Sequence, residues 1–101
     1  MNKIEMLLDM IHEALNGNHD LLEFSFDFPA ALADNYKEVE QENRVIAKLF
    51  NDDLVDACSW YDPYNTGDDY TIDEEEFRER AKIVYDKALL LAQSEIVLKT
   101  S

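Results

Sequence analysis

The chain has 101 residues, 47% hydrophobic and 11% aromatic, with 23 acids against 9 Lys and Arg for a formal net charge of −14. That apolar content excludes a disordered tail, and the length excludes more than one ordinary domain, so residues 1–101 read as a single unit. The charge disfavours a direct grip on nucleic acid or anionic lipid, since both are polyanions.

The single Cys58 rules out an internal disulfide and fits a reducing compartment. Two Gly and two Pro leave little material for a fold of many short strands. No apolar run of signal-peptide type follows Met1, and none approaches the length of a bilayer span. A cytoplasmic protein is the expectation.

The first predicted helix covers about Lys3 to Asn16. Ile4, Leu7, Leu8, Ile11, Ala14 and Leu15 recur at intervals of three and four, which places them on one helical face. Gly17 stands where a left-handed C-terminal cap belongs, and Asn18 is placed to cap the next helix. The second helix begins near Asp20, with Leu21, Leu22, Phe24 and Phe28 as candidates for burial. Pro29 lacks a backbone donor and clashes with the preceding turn, which predicts a kink, or a break with a restart through Ala30 to Tyr36.

A third helix is predicted from about Gln41 to Tyr61. Its apolar stripe reads Val45, Leu49, Phe50, Leu54, Ala57, Cys58 and Tyr61, and its other face carries Asp52, Asp53 and Asp56. Asp62-Pro63 ends it, because a residue before proline is pushed out of helical geometry. Tyr64 to Thr71 is then a polar loop around Gly67. The fourth helix has the best-marked start: Asp73 and Glu76 fit a capping box, with Ile72 and Phe77 as the hydrophobic staple around it. Glu74 and Glu75 sit in the first turn, where the helix dipole favours negative charge. The apolar positions continue through Ala81, Val84, Ala88, Leu91 and Ala92, and Leu98 to Ser101 is expected to fray. Amphipathic helices with short links predict an all-α, antiparallel four-helix bundle.

Several constellations have a bland reading that outweighs the chemical one. Asp62 to Asp73 imitates the outline of a twelve-residue EF-hand loop with Gly67 at the sixth position. The third and fifth ligand positions fall on Tyr64 and Thr66, and the twelfth is Asp73 in place of a bidentate Glu, so calcium binding is not expected. His12 and His19 are the only histidines. They read as isolated surface or helix-end residues, because the usual metal sites need three or four ligands at short spacing. Cys58 falls on the apolar stripe and reads as a small buried hydrophobe. Carboxylates are abundant, but nothing singles out a pair with contrasting environments, and no Gly-rich phosphate loop is present, so no enzyme, cofactor or metal is expected.

The acids themselves are not evenly spread. Between Asp34 and Glu76 there are 14 acids and three bases, and from Asp52 to Asp73 there is no base at all. Trp60, Tyr61, Tyr64 and Tyr70 are interleaved with those acids. A charge run is usually a solvated face, yet unneutralised charge mixed with Tyr and Trp is the composition of an interface that meets a basic partner.

The run Leu49-Phe50, then Trp60-Tyr61-Asp62-Pro63, then Asp68-Asp69-Tyr70-Thr71-Ile72-Asp73 ahead of an apolar helix resembles the colicin D immunity proteins, within the bacterial self-protective colicin-like immunity family. Leu22-Glu23-Phe24-Ser25 is similar as well, and the resemblance covers about Met1 to Leu90. It implies a small four-helix bundle that binds and blocks a secreted nuclease toxin, in the colicin D case a ribonuclease that cuts tRNA in the anticodon loop. The immunity protein's carboxylates stand in for tRNA phosphates in a basic active-site cleft. By position, Asp62 matches an acid of the family motif, and Asp52 and Asp53 match an acidic pair upstream. The chain departs from the pattern at Ser59 and Tyr64, where family acids are expected, which leaves open whether the toxin belongs to a bacteriocin or to a contact-dependent inhibition system.

The resulting expectation is a bacterial immunity protein that forms a 1:1 complex with a basic toxin domain. Asp52, Asp53, Asp56, Asp62, Asp68 and Asp69 would supply charge, and Trp60, Tyr61, Tyr64 and Tyr70 are candidate packing anchors, with the core as the alternative place for Tyr61 and Tyr70. The alternative is a general nucleic-acid mimic that inhibits a DNA- or RNA-binding protein.

Overall fold

The computed structural model describes residues 2–62 and 71–100, with side chains as far as Gln93. Helix α1 is Lys3–Leu15 and α2 is Leu21–Glu42. Then α3 (Arg44–Leu49), a π-helical turn (Phe50–Leu54) and α4 (Val55–Trp60) succeed one another as a single rod, and α5 is Glu74–Thr100. The four rods pack as an all-α bundle.

Local chemistry accounts for the ends of these rods. α1 stops in a Schellman turn: the Asn18 N–H reaches the Glu13 carbonyl (2.9 Å), the Gly17 N–H reaches that of Ala14 (3.3 Å), and Gly17 has φ +81°. The cap of α2 is Asp20 and not Asn18; its carboxylate accepts from the Glu23 N–H at 3.2 Å. The helix then runs unbroken through Pro29, which rules out the break with a restart that was the alternative to a kink. Ser25, one turn before the proline and buried, satisfies its hydroxyl by donating to the Leu22 carbonyl (2.6 Å).

What does break the chain is Asn43, inside the region predicted as one helix from Gln41. Its backbone is extended (φ −163°, ψ 105°), and its side-chain oxygen accepts from the N–H groups of Val45 (3.0 Å) and Ile46 (3.1 Å). The apolar stripe of this rod therefore reads Ile46, Ala47, Phe50, Leu54, Ala57 and Cys58, all buried, whereas Val45 is turned out and 58% exposed. The expected capping role of Asp73 is present, with Glu76 N–H to Asp73 Oδ1 at 2.9 Å. The Glu76 side chain does not close the box; it pairs with Arg80 at 3.2 Å. Ile72 and Phe77 are both in the core, as a staple requires. α5 continues over Leu98–Thr100, where fraying was expected.

The core is apolar and strongly aromatic. Five rings form a chain from the π-turn to the end of α4: Phe50 on Phe28 (5.6 Å, 83°), Phe28 on Phe24 (5.3 Å), Phe24 on Phe77 (6.1 Å), and Phe77 stacked on Tyr61 (4.6 Å). Edge-to-face and offset arrangements of this kind add to simple area burial. Tyr61 is thus half-buried and packed against the core. Beside it, Asp62 N–H donates to the Ile72 carbonyl (2.9 Å) and Ile72 N–H to the Trp60 carbonyl (2.8 Å), an isolated parallel bridge that ties the end of α4 to the start of α5. No helix among the described residues is long and apolar enough to cross a membrane.

Candidate functional site

The π-turn shapes the surface on which the acids sit. Val55 N–H bonds to the Phe50 carbonyl, five residues back, so the turn is wider than an α turn. Phe50 and Leu54 anchor its two ends in the core, and Asn51, Asp52 and Asp53 between them are exposed. Asp56, in the first turn of α4, is exposed beside them. Together with Arg80, Ile83 and Val84 of α5, these three aspartates line an open groove of about 350 Å³.

The electrostatics of the groove are one-sided. Among the described residues, none of Asp52, Asp53 and Asp56 takes part in an ion pair, and Arg80 across the groove is engaged by Glu76. The floor is apolar through Val84, and Ile83 is 47% exposed at the edge. Trp60, one helical turn beyond Asp56, is 44% exposed. The surface therefore combines three carboxylates with accessible apolar area. That can hold a cationic side chain by its charge while its methylenes lie on Ile83 and Val84.

The structure brings together Asp52, Asp53 and Asp56 as the acids predicted for one face, with Trp60 exposed beyond them. Asp62 is half-buried at the bridge to Ile72 and Tyr61 is stacked on Phe77, so this stretch belongs to the packing between α4 and α5. Burial raises the Tyr61 phenol above its ordinary value, with smaller contributions in the same direction from Glu74 and Asp20 and an opposing one from Arg78. Tyr64, Asp68, Asp69 and Tyr70, and with them most of the loop that imitates an EF-hand, lie outside the described residues. Sequence reasoning missed the α5 wall of the groove, Arg80 and Ile83, because those positions read as the ordinary solvent face of an amphipathic helix.

Cys58 behaves as the stripe predicted. It is buried, and desolvation pushes its thiol up to about 12 against a weaker opposing effect from its backbone hydrogen bond. A thiol so disfavoured from ionising is a poor nucleophile. His12 lies at the end of α1 against Tyr85 (5.9 Å) and within reach of Asn16. His19 is not isolated: Glu23 and Asp27 of α2 stand beside it. The spacing of four and four was the available signal, since it sets all three on one side of a helical path.

Comparison with protein-family models, with curated proteins and with solved structures gives no match to this chain. The resemblance to the colicin-like immunity family rests on the motif residues alone.

Proposed function

We propose that the protein is an immunity-type inhibitor that binds a basic nuclease toxin and occludes its active site with the Asp52, Asp53 and Asp56 face. The observation that carries this reading is the groove itself: three carboxylates without cationic partners among the described residues, two on a widened helical turn and one just after it, beside exposed Trp60 and Ile83. The net charge of −14 and the absence of any base from Asp52 to Asp73 support it. A partner that supplies positive charge relieves the self-repulsion of this surface and is steered to it from a distance. The resemblance between Trp60 and Asp73 supports a toxin as that partner, with a tRNA-cleaving ribonuclease as the nearest chemistry. In this reading the protein performs no catalysis and needs no cofactor.

The test is co-expression with the protein encoded immediately upstream. Rescue of growth together with a 1:1 complex that co-purifies supports an immunity role, and RNA recovered from unprotected cells identifies the substrate. Toxicity without rescue contradicts it. Inhibition of several unrelated nucleic-acid-binding proteins favours the general polyanion mimic instead.

A further inference from the structure

Apart from the acidic groove, one cluster has the donor set of a coordination site. We propose that His19, Glu23 and Asp27 bind a single first-row transition-metal dication, with zinc as its representative. None of the three lines the Asp52 groove, so this site stands independently of the proposed function.

The geometry is close to that required. One donor atom from each residue lies within 4.8 Å of the other two, and His19 Nε2 is 3.3 Å from Asp27 Oδ2. Bonds of about 2.0–2.2 Å in a tetrahedral zinc site place ligand atoms roughly 3.3–3.5 Å apart. The His19–Asp27 pair is already at that spacing. Glu23 has to close by at most about 1.5 Å on the same scale, and its side chain, on an exposed position of the first turn of α2, can do so by changing rotamer.

The histidine is held in place from both sides. Its backbone N–H donates to the Glu13 carbonyl (3.2 Å) in the turn after α1, and its ring stands edge-on to Phe24 (6.1 Å, 82°). Nε2 is shielded from water and, despite its closeness to Asp27, is not aligned for a hydrogen bond with any group among the described residues. A shielded imidazole nitrogen beside two carboxylates is an unsatisfied acceptor or a misdirected donor. A metal ion between them satisfies all three groups at once. Glu23 and Asp27 are four apart on α2 and face the same side, and neither is engaged by Lys or Arg among the described residues.

The donor set selects the metal class. An imidazole with two carboxylates suits zinc and its neighbours, whereas calcium and magnesium prefer all-oxygen shells with more ligands. Three protein ligands leave the fourth tetrahedral position open to water or to a donor from another molecule.

The test uses the full chain and the metal alone. Isothermal titration with zinc chloride in chelator-free buffer should give one ion per chain, and cobalt substitution should give the visible absorption of a low-coordinate site. His19→Gln should weaken zinc binding at least tenfold, Glu23→Gln should weaken it measurably, and His12→Gln should leave it unchanged. As a readout that needs no variant, zinc should shift the imidazole nitrogen resonances of His19 and not those of His12. Unmoved His19 resonances at tenfold excess zinc overturn the proposal. So does binding of several ions per chain that His19→Gln does not affect, which is counter-ion accumulation on an acidic protein.

Discussion

Glu42 and Arg78 hold opposite ends of the same helix. The Glu42 carboxylate, at the end of α2, accepts from the N–H groups of Lys3 and Ile4 at the start of α1 (3.1 Å each). The Arg78 guanidinium, in the first turns of α5, donates to the Ala14 and Leu15 carbonyls at the other end (3.3 and 3.2 Å). A helix leaves its first N–H and last C=O groups without internal partners, and its dipole favours an anion at the start and a cation at the end. α1 receives both from neighbouring rods: the Glu42 bonds tie the end of α2 to the start of α1, and the Arg78 bonds tie the start of α5 to the end of α1.

The first prediction concerns that clamp. Glu42→Ala removes two charge-assisted bonds that span the chain and should cost about 1–2 kcal/mol. Urea unfolding should show a lower midpoint at an unchanged slope. An unchanged midpoint would mean that water replaces the carboxylate without loss.

Asn43 makes a second prediction. Its side chain caps α3 through two N–H groups, so Asn43→Ala should destabilise by about 1 kcal/mol. Asn43→Asp or Asn43→Ser should retain most of the stability, because either offers an oxygen at the same place. Equal losses in all three variants would contradict the capping role.

Pro29 makes a third. It sits inside a helix that does not break, leaving one backbone bond unmade. Pro29→Ala should raise stability by about 1–3 kcal/mol, offset in part by lost packing of the ring in the groove it shares with Leu32, Tyr36 and Val55. A fall in melting temperature would show that the ring's contacts outweigh the missing bond.

Cys58 sets a pH dependence. Its thiol ionises from 9.0 in its ordinary state but only at about 12 in the fold. Between those values the unfolded chain holds fewer protons than the folded one, so stability falls as pH rises above 9. Tyr61, also raised, acts in the same direction. Cys58→Ala should flatten the decline between about pH 9 and 10.5, measured as denaturation midpoint against pH and compared with the wild type. In the folded protein at about pH 8 the thiol should react with an alkylating reagent only at the rate of unfolding. Rapid labelling would contradict its burial.

Much of the fold was legible because short-range chemistry dictates it. Gly17 after an amphipathic stretch and Asp73 before Glu76 are signals that act within one turn, and both caps are present. The buried positions of α1 and α5 keep a regular period and were readable for the same reason. The break at Asn43 was not, since Gln41 to Tyr61 carries no Gly or Pro and Asn43 is followed three residues on by Ile46 in place of the Glu or Gln of a capping box. Nor was the π-turn, whose extra residue leaves no composition signature. The three aspartates were visible as one face, but their opposite wall of Arg80 and Ile83 depends on how α5 packs against the π-turn. The nearness of His19 to Asp27 depends on the Schellman turn, which swings His19 onto the start of α2.

On the proposed function, the groove at Asp52, Asp53 and Asp56 meets positive charge on a partner. The most direct measurement is the affinity of the purified toxin domain for the wild type, for Asp52→Lys/Asp56→Lys, and for Asp9→Lys/Glu13→Lys, which makes the same change of net charge on exposed positions of α1. Such a contact predicts a loss of about 2 kcal/mol or more, roughly thirtyfold, for the groove variant. The α1 variant should show a smaller loss that fades with added salt. Equal losses in the two variants, or none in the groove variant, would contradict it.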